Sequence, residues 1–393
     1  MNRLPRSTIQ ALRLLSIGLV TLASAAASAD PGEAPATFGA ELRALRQVVA
    51  CDERVTDAKL PDGVTTKWVT SACKEVKRRV GQFKKRWLDK AQPFLATVVP
   101  ADVPKTVVYP FGGADLMTAL TVYPNADSIT TMSLEWVGDP RGITRMDAGQ
   151  LKGNVKTHHA FLVKLFQVNH NRTVDLQDLN QSPIPAPLTF ALKALDLLGY
   201  EPTEARWFRF TDEGVIEYLT PSMIAALDAS PEGKKQKGRN EFFANVELRF
   251  KKSGVDGAKE QIWRHVRTNL HDDQFKASPV LKHLQTLGTI AGITKAASYL
   301  IWREDFSVIR DYMLDHMTWM ISESSGIAPF HAAAKGFVQD TWGVFAGNMF
   351  PGPKKAELAF IELWKTNPKQ DLPIQFGYPD KNDANHMLVT RKR

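Results

Sequence analysis

The stretch 105–137 constrains the fold of this chain more than any other. "KTVVYPF" is apolar, β-branched and bounded by proline, which reads as a strand. Gly112, Gly113 and Asp115 follow as a tight turn. "DLMTALTVYP" then has helix-forming character and stops at Pro124, and "SITTMSLEWV" is strand-like again before the turn residues "GDPRG". Strand, turn, helix and strand in so short a span imply a parallel βαβ unit, because parallel neighbours need a crossover. A parallel sheet in turn needs helices on its faces. The expected class is α/β, with a mixed sheet, flanking helices and a degenerate Rossmann-like unit.

Ahead of this unit the chain reads as helical. Phe38, Leu42, Leu45, Val48 and Val49 fall at helical spacing. After the turn "LPDG", Val69, Val76, Val80, Phe83 and Trp87 line one stripe of a second helix. Cys51 and Cys73 are the two cysteines of the sequence. The simplest reading of such a pair in an oxidising compartment is a disulfide. It would staple residues 38–95 into a helical hairpin. Residues 30–100 are therefore expected to form an N-terminal helical region, and 101–393 an α/β body.

That compartment is suggested by the first 29 residues. Arg3, Arg6 and Arg13 precede a short apolar run, and "ASA" offers small residues for cleavage before Asp30. The pattern is that of a secretory signal peptide. The expected location is periplasmic or extracellular, with no transmembrane segment in the mature chain. The net charge is +8, of which the leader holds three arginines and no acid. Much of the rest sits at 74–90, "KEVKRRVGQFKKRWLDK", with eight bases and two acids. The remainder is close to neutral, which argues against nucleic acid as a partner. The bland reading of the run is a solvated helix face, and the sharper one is contact with an acidic surface.

Further along, "LTFALKALDLLGY" reads as a helix with a C-terminal glycine, and "ARWFRFTDEGVIEYL" as a hairpin. "SPEGKKQKGRN" reads as an exposed loop, and "ANVELRF" and "EQIWRHVRTNL" as strands. Residues 278–302 read as a helical region broken near Gly288–Gly292. "SVIRDYMLDHMTWMISES" reads as a helix running into a strand, and "DLPIQFGYP" as an extended closing segment.

With these segments in view, the chain resembles a group of uncharacterised exported bacterial proteins. The carriers are Tyr-Pro-Phe, a small residue, Gly, a small residue and Asp, then a Pro-Asn-Ala turn and Leu-Glu-x-x-Gly. "TKAASYLIWREDFSVIR", "SSGI" and "LPIQFGYP" extend the likeness over roughly residues 75–380. The resemblance implies an exported α/β protein and carries no reaction, substrate or cofactor.

Four constellations bear on function. Gly112 and Gly113 would let the backbone take positive φ and approach a ligand. Asp115 would either cap the next helix or face that ligand. Glu135 ends the second strand, where dinucleotide and methyl-donor folds place an acid for ribose hydroxyls. Gly112, Gly113, Asp115, Glu135 and Asp139 are thus the ligand-site candidates. The G-x-G-x-x-G fingerprint is missing and nucleotides are scarce outside the cytoplasm, so no cofactor is expected. The ligand would be a small molecule or glycan. "SESSG" resembles a nucleophile elbow, with Ser324 as nucleophile, Asp340 or Asp371 as orienting acid and His386 as base. A secreted hydrolase acting on an ester or glycan is the alternative function. The pair in "THHAF", His170 and "HDD" lack metal-ligand spacing, so no metal is expected and surface or capping histidines are preferred. Glu304, Asp305, Asp311 and Asp315 are explained by salt bridges to Arg303 and Arg310 before any glycosidase chemistry is needed.

Overall fold

The computed structural model describes residues 32–168, 179, 182–350 and 352–393. The leader 1–29 and His170 lie outside the described residues. Ten strands among them form one sheet: β1 (Thr106–Tyr109), β2 (Ser128–Ser133), β3 (Tyr200–Phe210), β4 (Ile216–Tyr218), β5 (Asn245–Lys252), β6 (Gln261–Arg267), β7 (Ile290–Ile293), β8 (Met317–Ser322), β9 (Phe337–Gly343) and β10 (His386–Lys392). Their spatial order is β4-β3-β5-β6-β2-β1-β7-β8-β10-β9.

The five central strands, β6-β2-β1-β7-β8, run parallel. An antiparallel group, β5, β3 and β4, extends one edge, and β10 with β9 extends the other. In chain order the parallel strands are third, second, first, fourth and fifth. This is the doubly wound order, and it reverses between β1 and β7, where a crevice opens beyond the carboxyl ends of the strands.

The sheet divides the core into two layers, because alternate side chains face opposite ways. Val107, Ile129, Ala291 and Ile321 belong to one layer, and Val108, Met132, Ile290 and Met320 to the other. The helix Leu116–Val122, crossing from β1 to β2, is buried at every position. That explains a composition with no polar face.

The N-terminal helices pack into the first layer. Gly39–Ala44 continues as a π turn, Leu45–Val49. The second helix, Thr66–Phe83, continues through the π turn Lys84–Leu88 into Asp89–Val98. Leu45, Val76, Phe83 and Trp87 share their core with Val107 and Ile129, and Trp87 donates through Nε1 to the Gln375 carbonyl at 2.7 Å. The Cys51–Cys73 disulfide joins the two helices across a separation of 22 residues. A loop of this size stabilises on the order of 3 kcal/mol by restricting the unfolded chain.

The basic run is largely met by its own surroundings. Lys77 pairs with Glu53, Arg78 and Arg79 with Glu75, and Lys84 with Asp89. Arg86 donates to the carbonyls of Phe166 and Gln167. Arg303 and Arg310 likewise pair with Asp305 and Glu304.

The hairpin at 205–219 forms as β3 and β4, and 307–324 is the helix Ser307–His316 running into β8. Three expectations are corrected. Within 278–302 only Pro279–Gln285 is an α-helix, and Ile290–Ile293 is β7, the fourth central strand. A four-residue buried strand shows no alternation, so periodicity cannot separate it from a buried helix. The segment 230–240 is not a loop but ends in the helix Gln236–Phe242, with Asn240 buried. His158 and His159 sit on the helix Ala148–Val168 and are buried, not surface groups. His386 opens β10, whose first five residues are buried between β8 and β9. Asp380 shapes the turn before it by accepting from the amides of Asn382 and Ala384.

Candidate functional site

A cavity of about 390 Å³ lies at the crevice. Its wall is the turn after β1, the end of β2, residues 268–270 after β6 and the loop 295–300 after β7. Phe111, Leu270, Phe306, Phe350 and Tyr378 make it largely apolar, with Phe111 and Phe306 edge to face at 5.7 Å. Leu134 and Phe350 leave 48% and 41% of their surface exposed at this site. Exposed apolar side chains gathered on one concavity are a mark of ligand grooves.

The turn is built by two different constraints. Gly113 takes φ 52°, and Phe111, two residues before it, is also left-handed at 60°. Gly112 does not need positive φ; a Cβ there would stand 2.5 Å from Cγ of Tyr109. Its role is close approach to that ring. The turn consumes its own amides: Gly112 donates to the Tyr109 carbonyl, Gly113 to Met132, Asp115 to Gly112 and Leu116 to Ala114.

Asp115 holds the junction together. Oδ1 caps the helix by accepting from the Thr118 amide at 3.1 Å. Oδ2 accepts from Nζ of Lys295 at 3.0 Å and from the Tyr109 hydroxyl at 3.1 Å. Lys295, buried, also donates to Oγ1 of Thr118 at 2.7 Å. Burial, with Asp115 beside it, drives the Tyr109 phenol well above its ordinary range. An ion pair thus ties the loop after β1 to the loop after β7.

Glu135 reaches the same wall from β2. The residue is 1% exposed, and its Oε1 has no hydrogen-bond partner among the described residues. Its carbonyl lies 2.9 Å from Nε2 of His265, whose Nδ1 is 3.2 Å from the Gly113 carbonyl. His265 thereby bridges the two ends of the unit; burial holds its pKa below the ordinary value, against the opposing pull of Glu135 and these carbonyls.

The loop after β7 is held in an uncommon shape. Ala296, Ser298 and Tyr299 have φ of 55°, 52° and 59°. Such residues persist only when neighbours over-determine them. Here the Ala296 amide donates to Oε1 of Glu323 at 2.9 Å, and the Ala297 amide to Oγ of Ser325 at 3.1 Å. Lys295 and Glu323 carry no local signal of these roles, because Asp115 and Ala296, which they meet here, lie 180 and 27 residues away in the chain.

The structure therefore brings Gly112, Gly113, Asp115 and Glu135 to one cavity. Asp139 is not among its lining residues; it bonds Arg141, which also bridges to Asp228. Ser324 and His386 do meet, with Oγ and Nε2 2.8 Å apart. Both are fully buried, and Nδ1 of His386 has no hydrogen-bond partner among the described residues. Asp340 pairs instead with Arg391, and Asp371 is exposed. The nearby acid, Glu323, is 3.6 Å from the same Nε2 that faces Ser324, so it does not orient the ring from behind. Among the described residues, Cys51, Cys73 and His159 bring three metal-type ligand atoms within 4.8 Å. The two sulfurs are bonded to each other, and a disulfide is not the thiolate a metal needs.

A buried histidine contributes to the acid sensitivity of this fold. His158 accepts or donates at Ser182 Oγ, 3.0 Å away, while burial and then His159 lower its pKa to about 3. The unfolded chain takes up this proton near pH 6.5 and the folded chain does not. Stability is expected to fall as pH drops from 6.5 towards 3, at about 1.4 kcal/mol per pH unit for this one group. Denaturant titrations between pH 7.5 and 4.5 will measure it, and His158→Asn should flatten the slope by one proton.

No family model matches the chain, and no curated protein or solved structure matches it either. No described helix is long and apolar enough to cross a membrane.

Proposed function

We propose that this is an exported binding protein whose small-molecule or glycan ligand sits in the crevice between the 111–115 turn, Glu135 and the 295–300 loop. One observation carries the reading: an apolar cavity at the reversal point of a doubly wound sheet, with a buried carboxylate oxygen left unpartnered in its wall. Ligands of such sheets enter there because strand-end loops converge on a gap that no helix crosses. Export is supported by the leader pattern, by the likeness to exported bacterial proteins and by a disulfide formed from both cysteines. An acidic surface partner for the 74–90 helix stays a secondary element of this reading, weakened by the ion pairs along that helix. The test is a thermal-shift screen of the mature chain against glycans, lipids and nucleosides. A stabilising ligand whose effect is lost in Leu134→Trp, which narrows the mouth, is the expected result. Stabilisation untouched by that variant would move the site elsewhere.

The hydrolase reading is favoured by one contact, the 2.8 Å approach of Ser324 to His386. A nucleophile sealed at zero exposure, with a base lacking its own orienting acid, is poorly placed for acyl transfer. A fluorophosphonate probe is expected to leave Ser324 unlabelled, and labelling would favour the hydrolase.

A further inference from the structure

Building on the binding reading above, we infer that the crevice selects a phosphate-free, hydroxyl-bearing ligand, neutral or cationic overall. The first reason is what the glycine turn has already used. In nucleotide-binding units of this topology the amides after the first strand point at a phosphate. Here four donors of the turn are taken within it or by β2: those of Gly112, Gly113, Asp115 and Leu116. In the first turn of the helix the Thr118 amide is taken by Oδ1 of Asp115. The protein's own carboxylate thus fills the position an anion would occupy.

The second reason is charge. Besides the phenols of Tyr109 and Tyr378, three ionisable side chains line the cavity: Asp115, Glu135 and Lys295. Asp115 and Lys295 neutralise each other at 3.0 Å. Glu135 has no such partner among the described residues, and burial holds the pKa of His265 behind it below the ordinary value. Glu323, beneath the 295–299 loop, adds a further acid. Arg267 donates to the Leu134 carbonyl and lies 5.0 Å over the Trp136 ring, and it does not line the cavity. A phosphate entering this space would meet the Glu135 carboxylate, a Lys295 already paired with Asp115, and a glycine turn whose Gly112, Gly113 and Asp115 amides are taken. Glu135 lines the same space with Oε1 unpartnered among the described residues, and the unmade hydrogen bond of a buried acceptor is costly, so a ligand hydroxyl that reaches it gains that bond. An ammonium or sulfonium group would gain from the same charge. Glu135 stands 22 residues after Gly113 at the end of the second strand, the place where a sugar diol is read in this topology.

The test uses matched probes on the mature, disulfide-bonded chain by calorimetry: adenosine against AMP, glucose against glucose 6-phosphate, and S-adenosylmethionine as a cationic nucleoside. At least one phosphate-free probe is expected to bind, with its phosphorylated or anionic counterpart at least ten-fold weaker. Glu135→Gln, nearly isosteric, should weaken the phosphate-free probe at least ten-fold and narrow the discrimination. The wild-type ratio alone tests the claim if that variant misfolds. A phosphorylated probe that binds as tightly, in a manner lost in Leu134→Trp, overturns the selectivity while the crevice stands as the site. Binding insensitive to Leu134→Trp overturns the crevice itself. Failure of every probe overturns the ligand class, and the wider screen above then decides the crevice separately.

Discussion

Asp115→Ala is expected to destabilise the protein by about 3–5 kcal/mol, well beyond the loss of a helix cap. A cap alone contributes about 1 kcal/mol. The same carboxylate also neutralises Lys295, whose ammonium is buried with Thr118 and Asp115 as its hydrogen-bond partners. Removing one member of a buried pair strands the other charge, and that typically costs 3–5 kcal/mol. Asp115→Asn keeps an acceptor for the Thr118 amide and should lose less. Lys295→Met combined with Asp115→Ala should recover much of the loss, because no charge is then left behind. Denaturant unfolding of the two single variants and the double variant measures the coupling. If Asp115→Ala loses only about 1 kcal/mol, the pair is not held as described.

Glu323→Ala should have an effect of similar size, felt first in the loop after β7. Its carboxylate is fully buried and accepts from the amides of Ala296 and Ser325, each at 2.9 Å, and from the Ser325 hydroxyl. Truncation leaves two buried amides without acceptors, at about 1–3 kcal/mol each, and opens a cavity besides. The left-handed residues 296, 298 and 299 then lose the contact that over-determines them. Amide exchange at Ala296 and Ser325 should accelerate strongly, and stability should fall by about 3–5 kcal/mol. Glu323→Gln retains one carbonyl acceptor and should fall between the two. Gly377 belongs to the same unit: a Cβ there would stand 2.0 Å from Cγ of Glu323, at a φ of 71°. Unchanged amide protection in Glu323→Ala would show that the loop holds itself.

Two elements show why some of this fold was readable and some was not. The unit from β1 to β2 was readable because each of its signals is local: an apolar run, a glycine pair, a capping acid, a stop at Pro124. β7 and β10 were not, because four buried apolar residues and a strand entered from a polar turn carry no period of their own. Their pairing with β1 and β8 defines them as strands. The histidines at 158 and 159 were misplaced for the same reason, since burial is a property of what packs above a helix.

Sequence alone determined the parallel crossover, the cysteine bridge and the hydrophobic stripe of the second helix, because neighbours within a few dozen residues impose them. Only the folded chain decided that Lys295 would meet Asp115, that Glu323 would clamp the left-handed loop, and that Glu135 would keep an oxygen unmatched. Those outcomes depend on groups separated by up to 180 residues, and no local preference encodes which distant partner arrives.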